Sequence, residues 1–399
     1  MARTTHVVVV GGGYAGVVAA NRLSTAPDLQ VTLVNPRSTF VQRIRLHQRT
    51  AGTHDAVTDF ADVLAPTVRL TVDAVRRIDA PSRTLVLDGG AAARYDYLVY
   101  AVGSHSAPSP VPGANEHAHP LSTLEQAQAL ERTLTGTSPA EPLVVVGGGA
   151  TGIETASELA ETGRRVTLVT RGEVGTYLHP NARREVRRQL DRLGVTLLEG
   201  VTVSAVASRS VHLSDGRELP SAVTVWTAGF GVPDLAARSG LSTDAVGRVL
   251  TDETLTSIDD DRIVAAGDSA APSGLPYRMS CAAALPLGAH AAATVLRRVA
   301  GKEPTPFSVP MPGQCLSLGR RAGIMQLSRR DDTATPVHVH GRLGAWLKES
   351  VTAGNLASLG MLAQHPSLIP SLTTVHDPRR ARRVADLRDA AAAAPVRAH

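Results

Sequence analysis

The stretch His6-Val7-Val8-Val9-Val10-Gly11-Gly12-Gly13-Tyr14-Ala15-Gly16 decides how this chain is read. Four successive valines do not alternate between a wet and a dry face, so they read as a buried parallel strand. A G-x-G-x-x-G turn follows, then the Ala-rich helical segment Val17–Leu23 and a second apolar run, Val31–Val34. The same order returns later. Leu143–Val146 leads into Gly147-Gly148-Gly149-Ala150-Thr151-Gly152, then into the helical segment Ile153–Glu161 and the strand Val166–Val169. Each copy is a βαβ unit with its glycines at the turn.

The spacing of those glycines has a physical reason. The first permits the tight turn, the second lets the backbone approach a pyrophosphate, and the third lets the helix pack closely on the strand. The helix N-terminus then offers free N–H groups and the positive end of a dipole to an anion. One such motif is weak evidence, but here each stands between a strand and a helix. Two dinucleotide sites imply two dinucleotides, and that pairing points to hydride passing from a nicotinamide to a flavin. A third landmark, Ile263-Val264-Ala265-Ala266-Gly267-Asp268, sets a carboxylate just past a buried strand. Asp268 either accepts hydrogen bonds from a polyol such as the flavin ribitol or caps the helix that follows.

Composition bounds the alternatives. A length of 399 residues suggests two to three domains, and 43% hydrophobic with 19% charged residues fits a soluble globular protein. Cys281 and Cys315 are the only cysteines and form no C-x-x-C or C-x4-C pair, which argues against thiol–disulfide and zinc chemistry. The net charge is +5, yet nearly every base is Arg; Lys302 and Lys348 are the only lysines. The arginines are dispersed except for Arg379, Arg380, Arg382 and Arg383, so no nucleic-acid partner is expected. No apolar run reaches the roughly 18 residues needed to span a bilayer, and Met1–His6 leads straight into a strand without a signal-peptide pattern. The expected location is the cytoplasm.

The chain resembles the FAD/NAD(P)-binding pyridine nucleotide oxidoreductases, most of all their type II NADH dehydrogenase and apoptosis-inducing-factor-like branch. The residues that carry the likeness are Val7–Gly16, Tyr95–Ser104, Val144–Glu154, Val225–Gly229 and Ile263–Asp268; the stretch after about Pro304 is covered loosely. The resemblance implies an α/β fold with two Rossmann-like domains and a smaller C-terminal α+β region. The FAD domain would be discontinuous, 1–118 plus 252–303, with an NAD(P)H domain at 119–251. Residues 304–399 would form an acceptor-site or dimerisation region. The cofactors implied are FAD with NADPH or NADH, and the partner is a small electron acceptor, a quinone or a metabolite. A homodimer is compatible with this, and membrane-surface association through the tail is less favoured than core or dimer packing.

Site residues follow by position. For FAD they are Gly11, Gly13, Tyr14, Ala15, Gly16, Asn35, Arg37, Arg43, Val75, Ala101, Gly103, Gly267 and Asp268. For the nicotinamide dinucleotide they are Gly147, Gly149, Thr151, Gly152, Glu154, Thr170, Arg171 and Gly229. Asn35 stands where an acid usually binds the adenosine ribose, and Val75 where backbone contacts adenine. Arg43 and Glu154 are the catalytic candidates. A cation at Arg43 would stabilise an anionic reduced flavin, and Glu154 would sit near the nicotinamide. The alternatives are a solvated strand face for Arg43 and Arg45, and a dipole-favoured acid for Glu154. His47 is a weaker proton-donor candidate.

Two departures blur the family expectation. Thr170-Arg171 replaces the acid that marks an NADH site and suits a 2′-phosphate, although Glu173 nearby can serve a ribose. The stretch Met279–Gly288 lacks the glutamines of quinone-reducing relatives. The leading function is therefore an FAD-dependent NAD(P)H:acceptor oxidoreductase. A flavoenzyme acting on one metabolite and an NAD(P)H-sensing interaction protein remain as alternatives.

Overall fold

The computed structural model describes residues 4–311, 313–367 and 377–393. Two five-stranded sheets dominate, and both are parallel. In the first, the order is Ile263–Ala265, Tyr97–Tyr100, Thr5–Val10, Leu29–Asn35, Arg69–Val72. In the second it is Ala118–Pro120, Val223–Trp226, Pro142–Val146, Arg165–Thr170, Thr196–Glu199. The valine runs lie at the sheet centres: Val7, Val8 and Val9 are fully buried, as are Leu143 and Val145. Such strands are covered on both faces, which is why they read as continuous apolar runs.

The halves also share their accessory parts. Each follows its βαβ unit with a three-stranded antiparallel sheet, Val75–Arg94 in one and Val203–Pro220 in the other. Ile263–Ala265 pairs with Tyr97–Tyr100, so a strand that follows the second unit completes the sheet of the first. The helix Cys281–Val299 then packs on the helix Tyr14–Leu23. They meet at Gly288, where a Cβ would lie 2.1 Å from the Ala15 carbonyl oxygen.

The C-terminal region is a three-stranded antiparallel sheet, Gly313–Ser317, Gly323–Ser328 and Ala334–His340, followed by the helix Gly341–Gln364. The sequence predicts breaks at Gly354 and Gly360, yet this helix runs through both. Glycine here permits close approach rather than ending a helix. At Gly344 a Cβ would lie 2.2 Å from the Gly323 carbonyl oxygen, and at Gly360 it would lie 3.1 Å from that of Asp62. A final helix spans Pro378–Ala393. The terminus expected to be frayed, Ala390–Ala394 and beyond, is helical through Ala393 and afterwards lies outside the described residues.

Candidate active site between the two glycine turns

The two turns agree in detail. Gly11 and Gly147 take φ of +103° and +124°, a region that disfavours any residue with a Cβ. A Cβ on Gly11 would sit 2.3 Å from the Ala101 carbonyl oxygen, and one on Gly147 2.6 Å from Thr227 Oγ1. A Cβ on Gly16 or Gly152 would sit 1.8 or 1.9 Å from the carbonyl of the first glycine of its own turn. The middle glycines, Gly13 and Gly149, face open space, with nothing within 4 Å of such an atom.

Gly13 and Gly149 are also the N-caps of Tyr14–Leu23 and Ala150–Glu161, and neither helix carries a side-chain cap. The first-turn N–H groups of both helices are thus left for an outside acceptor, above a clear approach. A pyrophosphate supplies that acceptor, so the residues present fit a dinucleotide at each turn.

Around the first turn, Arg43 Nη1 donates to Ser104 Oγ at 3.0 Å and lies 3.5 Å from Asp268 Oδ2. Ser104 Oγ donates to the same Asp268 oxygen at 2.7 Å. Gly103 borders this group, and a Cβ there would be 3.7 Å from Arg43 Nη1. Burial lowers the Arg43 pKa and the neighbouring Asp268 opposes that. Arg43 and Arg45 lie on a 3-10 turn, Arg43–Arg45, not on a solvated strand. Arg45 is buried and paired with Glu349. Asp268 belongs to the short turn Gly267–Ser269 and caps no helix; the next helix begins at Cys281 and is capped by Ser280.

The adenosine-side residues are engaged with the protein itself. Asn35 Oδ1 accepts from Gly12 N at 2.9 Å, and its Nδ2 donates to the Arg37 carbonyl at 2.8 Å. Asn35 therefore braces the turn with both ends of its amide. Arg37 forms a two-pronged pair with Glu125 at 2.5 and 2.6 Å, and its hydrogen bonds push the Glu125 carboxyl down to about 2. Val75 is buried at the start of its strand, opposite Leu87.

The second turn leads to a buried charge cluster. Glu154 is 7% exposed. Its Oε1 accepts from Ser317 N at 3.0 Å and lies 3.1 Å from Lys348 Nζ; its Oε2 lies 3.8 Å from His47 Nδ1. Burial alone would raise the Glu154 pKa, but the Lys348 charge, with hydrogen bonds from Lys348 and Ser317 N, outweighs it and holds the carboxyl down. Lys348 is raised for the converse reason: burial works against the ammonium and Glu154 prevails. His47 is pushed down to about 4, mainly by burial, so it is neutral at neutral pH.

Two buried polar atoms in this cluster lack a partner among the described residues, His47 Nε2 and the Tyr177 hydroxyl. Burial and then the Glu154 charge push the Tyr177 phenol up. Cys281 and Cys315 are free thiols raised by burial, each countered by the Lys348 charge. The unpartnered atoms and the buried ion pair form one buried polar cluster beside the second turn.

At the far end of the second strand, Thr170 is buried against Gly148, whose added Cβ would meet Thr170 Oγ1 at 2.4 Å. Arg171 is exposed. Glu173 is bound to Arg183 and, at 2.9 Å, to Arg187. The Thr151 carbonyl accepts from Thr155 Oγ1 at 2.6 Å, and Gly229 takes φ +84°.

The structure thus gathers Arg43, Gly103 and Asp268 into one group and Glu154 with His47 into another. Sequence reasoning missed Lys348, Ser317 and Tyr177. Lys348 did carry a signal: it is one of two lysines among 41 basic residues, in a chain that otherwise uses Arg. Its position on the C-terminal helix gave no hint that it meets Glu154.

Two parallel sheets, each presenting an uncapped helix behind a glycine turn, fit a protein with two dinucleotide sites. Residues 5–292 match the family described as pyridine nucleotide-disulphide oxidoreductase, and the chain belongs to that family. It is an NAD(P)H oxidoreductase.

Over 350 residues it is 32% identical to an NADH dehydrogenase-like protein of Mycobacterium tuberculosis, covering 80% of this chain and 87% of that one. It is 24% identical over 380 residues to the type II NADH:quinone oxidoreductase of the same organism, covering 81% and 79%. Among solved structures it is similar in fold to NDH2 of Plasmodium falciparum in complex with NADH. There the TM-score is 0.77 at 13% identity, covering 90% of this chain and 97% of the other. Among the described residues, no helix is long and apolar enough to cross a membrane.

Proposed function

We propose that this chain takes hydride from a nicotinamide dinucleotide held at the second glycine turn and delivers electrons from FAD at the first turn to a quinone-type acceptor. When bound, FAD supplies the two-electron carrier between them. The observation that carries the reading is the pair of uncapped helix N-termini together with the buried Glu154–Lys348 pair. The quinone-type acceptor is supported by the relative whose name includes that reaction, and the missing glutamines leave its identity to be tested.

The residues divide the work by position. Gly11, Gly13, Tyr14, Ala15 and Gly16 hold one pyrophosphate at the N-terminus of Tyr14–Leu23, and Gly147, Gly149, Thr151 and Gly152 hold the other. Asp268, steadied by Ser104, accepts from hydroxyl groups of the flavin side chain. Arg43 sets a cation beside that region and favours negative charge on a neighbouring ring. Glu154 and Lys348 hold a buried carboxylate and a proton-bearing ammonium 3.1 Å apart, which lets Lys348 Nζ keep its proton within the buried cluster. The FAD unit is taken as 1–118 with 252–303, and the nicotinamide unit as 119–251. Arg171 and Thr170 favour NADPH over NADH.

The test is anaerobic reduction of the purified yellow protein by NADH and by NADPH in turn, followed by reoxidation with quinones, oxygen and metabolites. Bleaching by at least one nicotinamide and rapid recovery with a quinone are expected. Absence of a flavin spectrum, or no bleaching with either nicotinamide, would overturn the reading. Recovery with a single metabolite alone would replace the acceptor.

A further inference from the structure

Among the described side chains of the final helix, Pro378–Ala393, Val384 and Arg380 are buried. Arg380 is 2% exposed, although it belongs to a run of arginines that otherwise reads as a solvated face. Its Nε and Nη2 donate to the two Glu253 carboxylate oxygens at 2.8 and 3.1 Å. Nη2 also donates to the carbonyls of Leu275 at 2.9 Å and Pro272 at 3.3 Å. The guanidinium lies 4.2 Å from the centre of the Tyr277 ring. The helix start is fixed by Asp377, whose N–H donates to Ser308 Oγ at 2.8 Å.

The segment held in this way, Pro272–Ser280, has no helix or strand of its own past Pro272. Ser273 takes φ +48°, a costly conformation for a residue with a side chain, which persists only where neighbours impose it. Its second anchor is its own Arg278, which binds Asp332 at 2.6 and 2.8 Å and the Gly313 carbonyl at 2.9 Å. The segment ends at Ser280, which caps the helix that begins at Cys281. Cys281 Sγ takes a contact of 3.4 Å from Asn355 Nδ2, on the same helix as Lys348. One guanidinium therefore joins the C-terminal helix to the segment that leads into Cys281, whose thiol feels the Lys348 charge. An isolated buried ion pair adds little net stability but can select one conformation, so we assign Arg380 to holding that segment rather than to stability alone.

We propose that Arg380 is a positioning residue that fixes Pro272–Ser280, the segment leading into Cys281, and so determines which acceptors the enzyme serves. This rests on the acceptor reading above and adds to it that the acceptor enters on the Cys281 side of the Lys348 cluster.

The experiment uses the full-length flavin-loaded protein, the variants Arg380→Met and Glu253→Gln, and a chain ending at His376. Three quantities are read: the rate of flavin reduction by the nicotinamide, KM and kcat for a short-tailed and a long-tailed benzoquinone, and the rate at which a maleimide labels Cys281 and Cys315. Loss of the anchor is expected to speed labelling about tenfold and to change the KM ratio of the two quinones about fivefold. Flavin reduction should stay within about twofold, because binding and release depend on such loops more than the chemical step does. Unchanged labelling and an unchanged KM ratio in the shortened chain overturn the assignment. If Arg380→Met fails to fold, the shortened chain and Glu253→Gln still decide it. If no nicotinamide bleaches the flavin, the functional reading falls instead, and thiol labelling still judges the anchor.

Discussion

The two glycine turns are nearly the same backbone, but their surroundings differ. At the first, Gly12 is packed against Asn35 and Phe60, and the groups that converge on the site, Arg43, Ser104 and Asp268, come mostly from loops after strands of the same sheet. At the second, Gly148 meets Thr170, and the helix carries Glu154 to a lysine nearly two hundred residues away. The turns supply an anion site as backbone geometry. What each site then does depends on side chains brought in by other segments.

The largest effects should come from the third glycine of each turn. Alanine at Gly16 or Gly152 would force its Cβ to within 1.8 or 1.9 Å of a carbonyl oxygen, so the turn must open. Gly16→Ala should purify without flavin colour. Gly152→Ala should remain yellow but be reduced by NAD(P)H only at far higher concentration. Visible spectra and a nicotinamide titration check both. Loss of flavin from Gly152→Ala and retention in Gly16→Ala would reverse the assignment of the two sites.

The next test concerns the buried pair. Glu154→Gln or Lys348→Met alone leaves its partner charged in a dry place and should cost about 3–5 kcal/mol of stability. Replacing both should cost less than the sum, because no charge is stranded. Urea unfolding of the two single variants and the double variant gives the coupling. Simple additivity would mean that the two groups do not act as a pair.

This contrast also separates what the sequence makes legible from what it does not. The valine runs and glycine turns are local signals, since one buried strand and one close approach each demand a narrow set of residues. They place both sheets and both glycine turns. The position of Glu154 on the helix behind the second turn is legible for the same reason. Lys348, Ser317 and Tyr177 are not, because nothing local relates a C-terminal helix or strand to residue 154. Gly360 misleads for a related reason: a helix-breaking residue is tolerated where packing favours its small size, whereas Gly354 faces open space and the helix simply runs through it. The engagement of Asn35 with Gly12 was likewise hidden, since an amide reads as a ribose contact and a turn brace equally well.

A smaller effect comes from His47, which lies 3.8 Å from Glu154 and in the field of Lys348, Arg320 and Arg45. Its folded pKa lies below the unfolded value of about 6.5, pushed down to about 4 by burial. The unfolded chain therefore binds a proton that the folded chain refuses, and stability falls as pH drops from about 6.5 towards 4. Above that window the group makes no pH-dependent contribution. The loss is on the order of 3 kcal/mol at most. Urea midpoints measured from pH 7 to 4 should fall less steeply in His47→Asn than in the parent. Parallel curves would show that His47 is protonated in the folded state or is not buried.

The smallest effect returns to the strand ends, where neither half has the acid that dinucleotide sites often carry. Asn35 braces its turn through Gly12 and Arg37. Thr170 lies against Gly148 without taking a charge there, and Arg171 beside it is exposed. The second strand end is thus the place where a 2′-phosphate would find a cation, and the first is not. Arg171→Ala should shift the ratio of kcat/KM for NADPH over NADH about tenfold towards NADH, the order of effect of one phosphate-binding arginine. Asn35→Asp should leave that ratio unchanged, because it changes only the flavin side. Both nicotinamides would be compared under one quinone at fixed ionic strength, since an exposed cation is screened by salt. An equal loss with both nicotinamides in Arg171→Ala would place Arg171 on the shared pyrophosphate, and the strand-end difference between the two halves would then carry no cofactor choice.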